Sequence, residues 1–200
     1  MRFRERSDRR GQEGIDEAFK LVIMPALLLD VGHGSFSHSF EQVLSGYDWA
    51  PRHEDWTKTI ISHKDSDIRK QLEKNCITID AVSSVFDKKS PCLLTRPYQQ
   101  IVSSQLDVDR MNYLVRDSHF SGVATGRFDV RYLTHSIVVV SHGENGTRTL
   151  GITPKGVKAY EAFLLARQLI NRTVYYHQNV KVLEFMMEHF LQLVIKYMED

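Results

Sequence analysis

Imidazole and carboxylate groups can bind metal ions and move protons near neutral pH, and one short stretch concentrates them. Leu27-Leu28-Leu29-Asp30-Val31-Gly32-His33-Gly34-Ser35-Phe36-Ser37-His38-Ser39-Phe40-Glu41 closes an apolar run with an acid and sets a histidine between two glycines. It then opens a segment bearing His38 and Glu41, which share one face if that segment is helical. The glycines permit a sharp turn and a close approach of backbone to ligand. A single histidine is most often a surface or hydrogen-bonded residue. Packing alone does not account for so many polar groups beside an apolar run, so the constellation points to acid–base or metal chemistry.

A second stretch runs Gln105-Leu106-Asp107-Val108-Asp109-Arg110-Met111-Asn112-Tyr113-Leu114-Val115-Arg116-Asp117-Ser118-His119. Asp109, Tyr113 and Asp117 recur every fourth residue and stack on one helix face, with Arg110 beside them. A carboxylate, a guanidinium and a phenol together suit a metal, a phosphate and a sugar. The same residues also suit a salt-bridged surface, with Asp107 or Asp109 pairing Arg110 or Arg116. The residue types leave both readings open.

Rigid elements must hold these groups. Apolar periodicity predicts a helix over 16–29, kinked or broken at Pro25, and short helices over 37–44, 53–62, 66–75 and 79–86. Trp56, Ile60 and Ile61 fall on one side of the second of these. A loop over 88–97 and one strong helix over 98–117 follow. The β-branched run 137–140, turn residues 143–146 and a second run 147–152 predict a β-hairpin. Two long helices, 156–176 and 181–197, complete the chain, the first restarting after Pro154. Leu183, Met186, Met187, Phe190, Leu191, Val194 and Tyr197 form an apolar stripe on the second. It reads foremost as packing back onto its own domain, and a homo-oligomer interface is the other reading.

With 200 residues, 42% hydrophobic and 26% charged, the chain can bury a sizeable core. Its net charge of +1 gives no global field favouring nucleic acid or a membrane surface. The basic start, Arg2 to Arg10, reads as a solvated terminus. Cys76 and Cys92 show no metal-ligand spacing, no signal peptide is visible, and the longest apolar run, 21–29, is too short to span a bilayer. The expectation is a cytoplasmic protein with no membrane partner.

The first stretch resembles the motif LLHDxGHGPFSHxFE of the HD-domain metal-dependent phosphohydrolases. It matches through Leu27, Leu28, Asp30, Gly32, His33, Gly34, Phe36, Ser37, His38, Phe40 and Glu41, while Leu29 stands where the family has the histidine of its HD doublet. The second stretch resembles QLDxDRxDYLxRDxxxxG, continued by Gly122 and Phe128-Asp129. His53-Glu54 match the start of a helix that faces the active site in relatives. Val174-Tyr175-Tyr176-His177-Gln178 resembles a VYxHK-like element, with Gln178 where lysine is usual. The resemblance covers most of residues 21–180 and is nearest to the bacterial deoxynucleoside triphosphate triphosphohydrolases.

This resemblance implies a mostly α fold, an HD-domain helical bundle with a small β-hairpin insertion. It places the helical core at 1–127 with an altered or truncated N-terminus, the hairpin insertion at 128–153, and helices completing the site at 154–200. It implies Asp30 and Asp109 as metal ligands, and His33, His38, Glu41 and His53 as the catalytic proton-transfer set. Arg110 and His38 would contact phosphate, with Tyr113, Asp117, Tyr175 and His177 on the rest of the substrate. The cofactor implied is a divalent ion (Mn, Mg, Fe or Ni), weakly held. Leu29 has no lone pair to give it, and the family's upstream histidine, in a motif like RFxHS, has no counterpart before His33. Arg2-Phe3-Arg4-Glu5 resembles a remnant of that motif, with Glu5 near the histidine position. The function implied is hydrolysis of a nucleotide or other phosphoester, in the manner of the dNTP triphosphohydrolases, impaired by the loss of two ligands. The alternative is a catalytically inactive nucleotide-binding or regulatory module of the same fold.

Overall fold

The computed structural model describes residues 20, 22–86, 96–142 and 146–199. Helical residues 22–28, here α1, lead into a turn over 29–37. The helices α2 (His38–Leu44), α3 (His53–Ser62), α4 (Asp67–Lys74), α5 (Ile79–Phe86), α6 (Arg96–Val102), α7 (Val108–Ser121) and α8 (Val130–His135) follow. Strands β1 (Ile137–His142) and β2 (Thr147–Ile152) then pair antiparallel, Ile137 opposite Ile152 and His142 opposite Thr147. A single 3₁₀ turn (Pro154–Gly156) opens α9 (Val157–Ile170), which runs into a π-helical turn (Asn171–Tyr175) and then α10 (Gln178–Glu199). The protein is thus mostly α with one small hairpin, as expected. The predicted turn over 143–146 falls largely outside the described residues, as do the loop up to residue 95 and the Arg2–Glu5 segment.

Two apolar cores organise the helices. The first buries Ile61, Leu72, Val82, Val85, Phe86 and Val102 from α3 to α6, with Met24, Leu28 and Leu29 packed against it. The second buries Leu106, Met111, Leu114, Leu133, Phe163 and Ile170 from α7 to α9. The hairpin lies against α6, where the Gln100 side-chain oxygen accepts the Leu150 N–H at 2.8 Å.

Four expectations are corrected. Pro25 does not break α1: it is fully buried within the helical residues 22–28. Its ring already fixes a helix-compatible φ, and burial outweighs the local penalty. On α3, Trp56 is 41% exposed and Thr57 is buried in its place. The single helix expected over 98–117 is two. Asp107 separates them: its side chain, 1% exposed, accepts the backbone N–H groups of Ser104 at 2.9 Å and Arg110 at 2.8 Å, capping α7. It also pairs with the Arg110 guanidinium. Finally, the α10 stripe packs back onto its own domain only in part. Leu191 is buried, but Leu183, Met186, Phe190 and Tyr197 are exposed. Apolar residues also lie elsewhere around this helix (Val182, Phe185, Leu193, Met198). The seven-residue α2, its main neighbour, is too short to cover them. Among the described residues no helix is long and apolar enough to cross a membrane.

Asp107→Ala removes a cap and leaves the Arg110 cation without its partner. We expect a loss of about 3 kcal/mol in urea unfolding; a loss under about 1 kcal/mol would contradict this account of the α6–α7 break.

Candidate functional site

A cleft of about 1120 Å³ lies between the two cores. Its walls come from the turn after α1, from α2 and α3, from α7, and from the π turn and start of α10. Asp30, His33, His38, His53, Asp109, Arg110, Tyr113, Asp117 and Tyr175 all line it. Glu41 stands behind the histidines rather than on the cleft wall. His177 is not among the lining residues; it is exposed, and its Nδ1 accepts the Asn179 N–H at 3.3 Å, so it serves the start of α10.

The imidazole side is tightly built. The His33 and His53 rings stack at 4.1 Å, 15° from parallel, and His38 meets His33 edge-on at 5.1 Å. His53 Nδ1 donates to Glu41 Oε1 at 2.9 Å, and the His53 backbone N–H points at the same oxygen at 3.4 Å. Burial alone would raise the Glu41 pKa, but these bonds and the adjacent imidazoles hold it below the ordinary carboxylate value. Glu41 is therefore anionic at neutral pH. His33 has a lowered pKa, first through burial and then through its like-charged neighbour His53. It is neutral at pH 7, with Nε2 3.5 Å from Asp30 Oδ1. His38, with 84% of its side chain exposed, is free to reorient.

The carboxylate side is set by α7. Asp109 has a raised pKa, through burial first and then through the charges of Asp30 and Asp107. Asp30 and Asp109, 79 residues apart in the chain, are thus near enough to repel one another. Of the two open readings of the α7 face, both apply to different residues. Asp107 takes Arg110, and Arg116 Nε takes Asp117 Oδ1 at 3.1 Å, which leaves Asp109 facing the cleft. Tyr175 OH donates to Asp117 Oδ2 at 2.5 Å, and its ring meets Tyr113 edge-on at 6.0 Å. Burial and the Asp117 bond push the Tyr175 phenol well above its usual range, so it is a fixed donor rather than a base.

His33, Glu41 and His53 place potential ligand atoms within 4.8 Å of one another. A histidine ligates along a lone pair lying in its ring plane, and one ion cannot lie in both planes of a near-parallel stack. Ligation by both rings therefore requires one to rotate, and the arrangement as it stands suits proton transfer. Asp30 and Asp109 both line the cleft as hard oxygen donors, the ligand type that a hydrated divalent ion takes. Leu29 lines the cleft at the position of the absent histidine and packs into the first core. With no nitrogen there, the donor set does not fit tight transition-metal binding.

Three cleft groups carry buried polar atoms with no hydrogen-bond partner among the described residues: His33 Nδ1, Glu54 Oε2 and Arg110 Nε. Such groups are costly unless water or a ligand satisfies them. Glu54 and Lys181 also line the cleft and were not singled out as site residues from the sequence. Glu54 directly follows His53 in its motif, which was the available signal. Lys181, paired with Glu184 at 2.6 Å, had none.

The chain is similar to several known proteins. Residues 105–200 match the family model described as the HD associated region. The uncharacterized protein YwfO of Bacillus subtilis is 32% identical over 181 residues, covering 88% of this chain and 37% of its own. A putative HD domain-containing protein of Acanthamoeba polyphaga mimivirus is 26% identical, covering 86% of this chain and 37% of its own. The crystal structure of a phosphohydrolase from Bacteroides thetaiotaomicron superposes with a TM-score of 0.68 at 28% identity, covering 88% of this chain and 39% of that one. Together these findings support an HD-domain family for the chain and a hydrolase-like relationship. The chain spans little more than a third of the length of these relatives.

Asp109 gives a pH signature. Its folded pKa is raised, so the fold favours its neutral form, and this contribution is lost as pH rises through the folded pKa. We expect Asp109→Asn to raise Tm at pH 7, and the gain to shrink as pH falls toward about 4. A Tm lowered at pH 7 would refute the repulsion.

Proposed function

We propose that the cleft binds a phosphorylated substrate of the nucleotide type and hydrolyses a phosphoester bond in it. The carrying observation is the convergence of imidazoles, carboxylates and Arg110 from distant chain segments onto one cleft with unsatisfied buried donors and acceptors. The solved phosphohydrolase of similar fold supports the reading. Asp30 and Asp109 would hold a divalent ion, which when bound offsets phosphate charge and polarises its oxygens. Arg110, with Nε unsatisfied and NH1 fixed by Asp107, offers a donor to a phosphate oxygen. Glu41, anionic, accepts the His53 Nδ1–H and so orients the ring, leaving its other nitrogen to take and return a proton. Neutral His33 between Asp30 and His53 can accept one. Exposed His38, 3.9 Å from Glu41, can reach a leaving oxygen. Tyr113 and the Tyr175–Asp117 pair form a wall with aromatic faces and hydroxyls suited to a sugar. A dNTP, releasing triphosphate, is the substrate that the resemblance favours.

Leu29 supports a second reading, a nucleotide-binding module without turnover. The two separate in one assay. Purified protein with Mn or Mg should release phosphate or triphosphate from dNTPs; Asp109→Ala should abolish this, and His53→Ala should lower kcat by about 10²–10⁴-fold. Nucleotide binding with no turnover under any metal would favour the second reading.

Leu29→His should tighten Mn binding at least tenfold by calorimetry. It should also lower Tm, because Leu29 packs into the first core. Unchanged affinity would argue against a pocket formed around Asp30 and Asp109.

A further inference from the structure

Thr57 lies fully buried in the middle of α3. Its hydroxyl accepts the Gly32 N–H at 3.0 Å and donates to the Leu29 carbonyl at 3.2 Å. A threonine inside a helix commonly turns its hydroxyl back onto its own helix, as neighbouring Thr59 does toward the Asp55 carbonyl at 2.9 Å. Thr57 instead commits its hydroxyl to another chain segment, and one oxygen satisfies both sides of the turn that carries Asp30. Gly32 lies so close that a Cβ there would come 2.2 Å from the His53 carbonyl and 2.4 Å from the Thr57 nitrogen. His53 sits one helical turn before Thr57 on the same face, and its ring stacks on His33.

We propose that Thr57 is a positioning residue whose hydroxyl clamps the Leu29–His33 turn to α3 and thereby sets the stacking of His33 on His53. For its catalytic consequence this rests on the hydrolase reading; for its geometry it does not. The clamp also fixes the backbone at Leu29 and Asp30, so the main chain of the ligand doublet is held although one ligand side chain is missing. Valine would match threonine in shape but leave the Gly32 N–H and Leu29 carbonyl unsatisfied. Serine would keep both bonds and lose only a methyl group.

The test is nuclear magnetic resonance on histidine-labelled protein. Cross-relaxation between the His33 and His53 ring protons is expected in the unmodified protein and in Thr57→Ser. It should disappear in Thr57→Val while circular dichroism stays helical. Persistence in Thr57→Val overturns the proposal. So does loss in both variants, which would assign the effect to packing of the methyl group. If Thr57→Val does not fold, amide exchange of Gly32 in the unmodified protein decides. Strong protection supports the clamp, and exchange at the rate of an open amide overturns it. Where turnover is measured, Thr57→Val should lower kcat by about 10²-fold with KM changed less than about threefold. Absence of turnover in the unmodified protein would end the hydrolase reading and leave the resonance result standing.

Discussion

One buried carboxylate, that of Asp107, organises the half of the cleft that carries charge. By accepting the N–H groups of Ser104 and Arg110 it ends one helix and begins the next. By pairing with the Arg110 guanidinium it spends its own charge. The consequence is a division of labour among three closely spaced ionised side chains. Asp107 is structural, Arg110 is half-committed with one nitrogen unsatisfied, and Asp109 is left toward the cleft, where Arg110 and Arg116 offset burial and the neighbouring acids only in part. Had Arg110 turned to Asp109 instead, the cleft would present a neutral pair. It would then lack both a place for a cation and a donor for an anion.

The opposite wall follows a different logic. The His33 and His53 rings are packed face to face, with Glu41 bonded to His53 and Glu54 Oε2 3.7 Å from the same His53 nitrogen. Burial and the neighbouring imidazole keep His33 neutral, while the Glu41 bond fixes the orientation of the His53 ring. On the proposed reading the carboxylate wall would attract a cation and the imidazole wall would move protons, and Leu29 lines the same cleft with a side chain that can do neither.

Much of this was legible in the chain. The helices over 53–62 and 79–86 follow from apolar period, because each buries one face, and both strands follow from residue type alone, β1 lying mostly exposed. The break at 103–107 was not legible: apolar spacing from Ile101 to Leu114 continues across it, and only the capping geometry of Asp107 shows that the helix restarts. The exposed face of α10 escaped for the opposite reason, since a stripe can be read from a sequence but what covers it cannot. Among the site residues, types and motif positions led to nine that line the cleft. His177 differs because the chain turns between Tyr175 and α10, so its side chain turns to the helix start instead of following its neighbour.

That turn carries an evolutionary consequence. Between Asn171 and Tyr175 the chain winds as a π helix, the Tyr176 N–H reaching the Asn171 carbonyl five residues back at 2.7 Å. A π turn is an α-helix that has accommodated one surplus residue. Removing a single codon there would turn the residues that close this helix by about 100° and shift the point from which α10 departs. The tyrosine that meets Asp117 would swing off the cleft, and the long final helix would present a different face. In this fold one small indel can therefore reset a binding wall and an outer surface together, with no substitution at either.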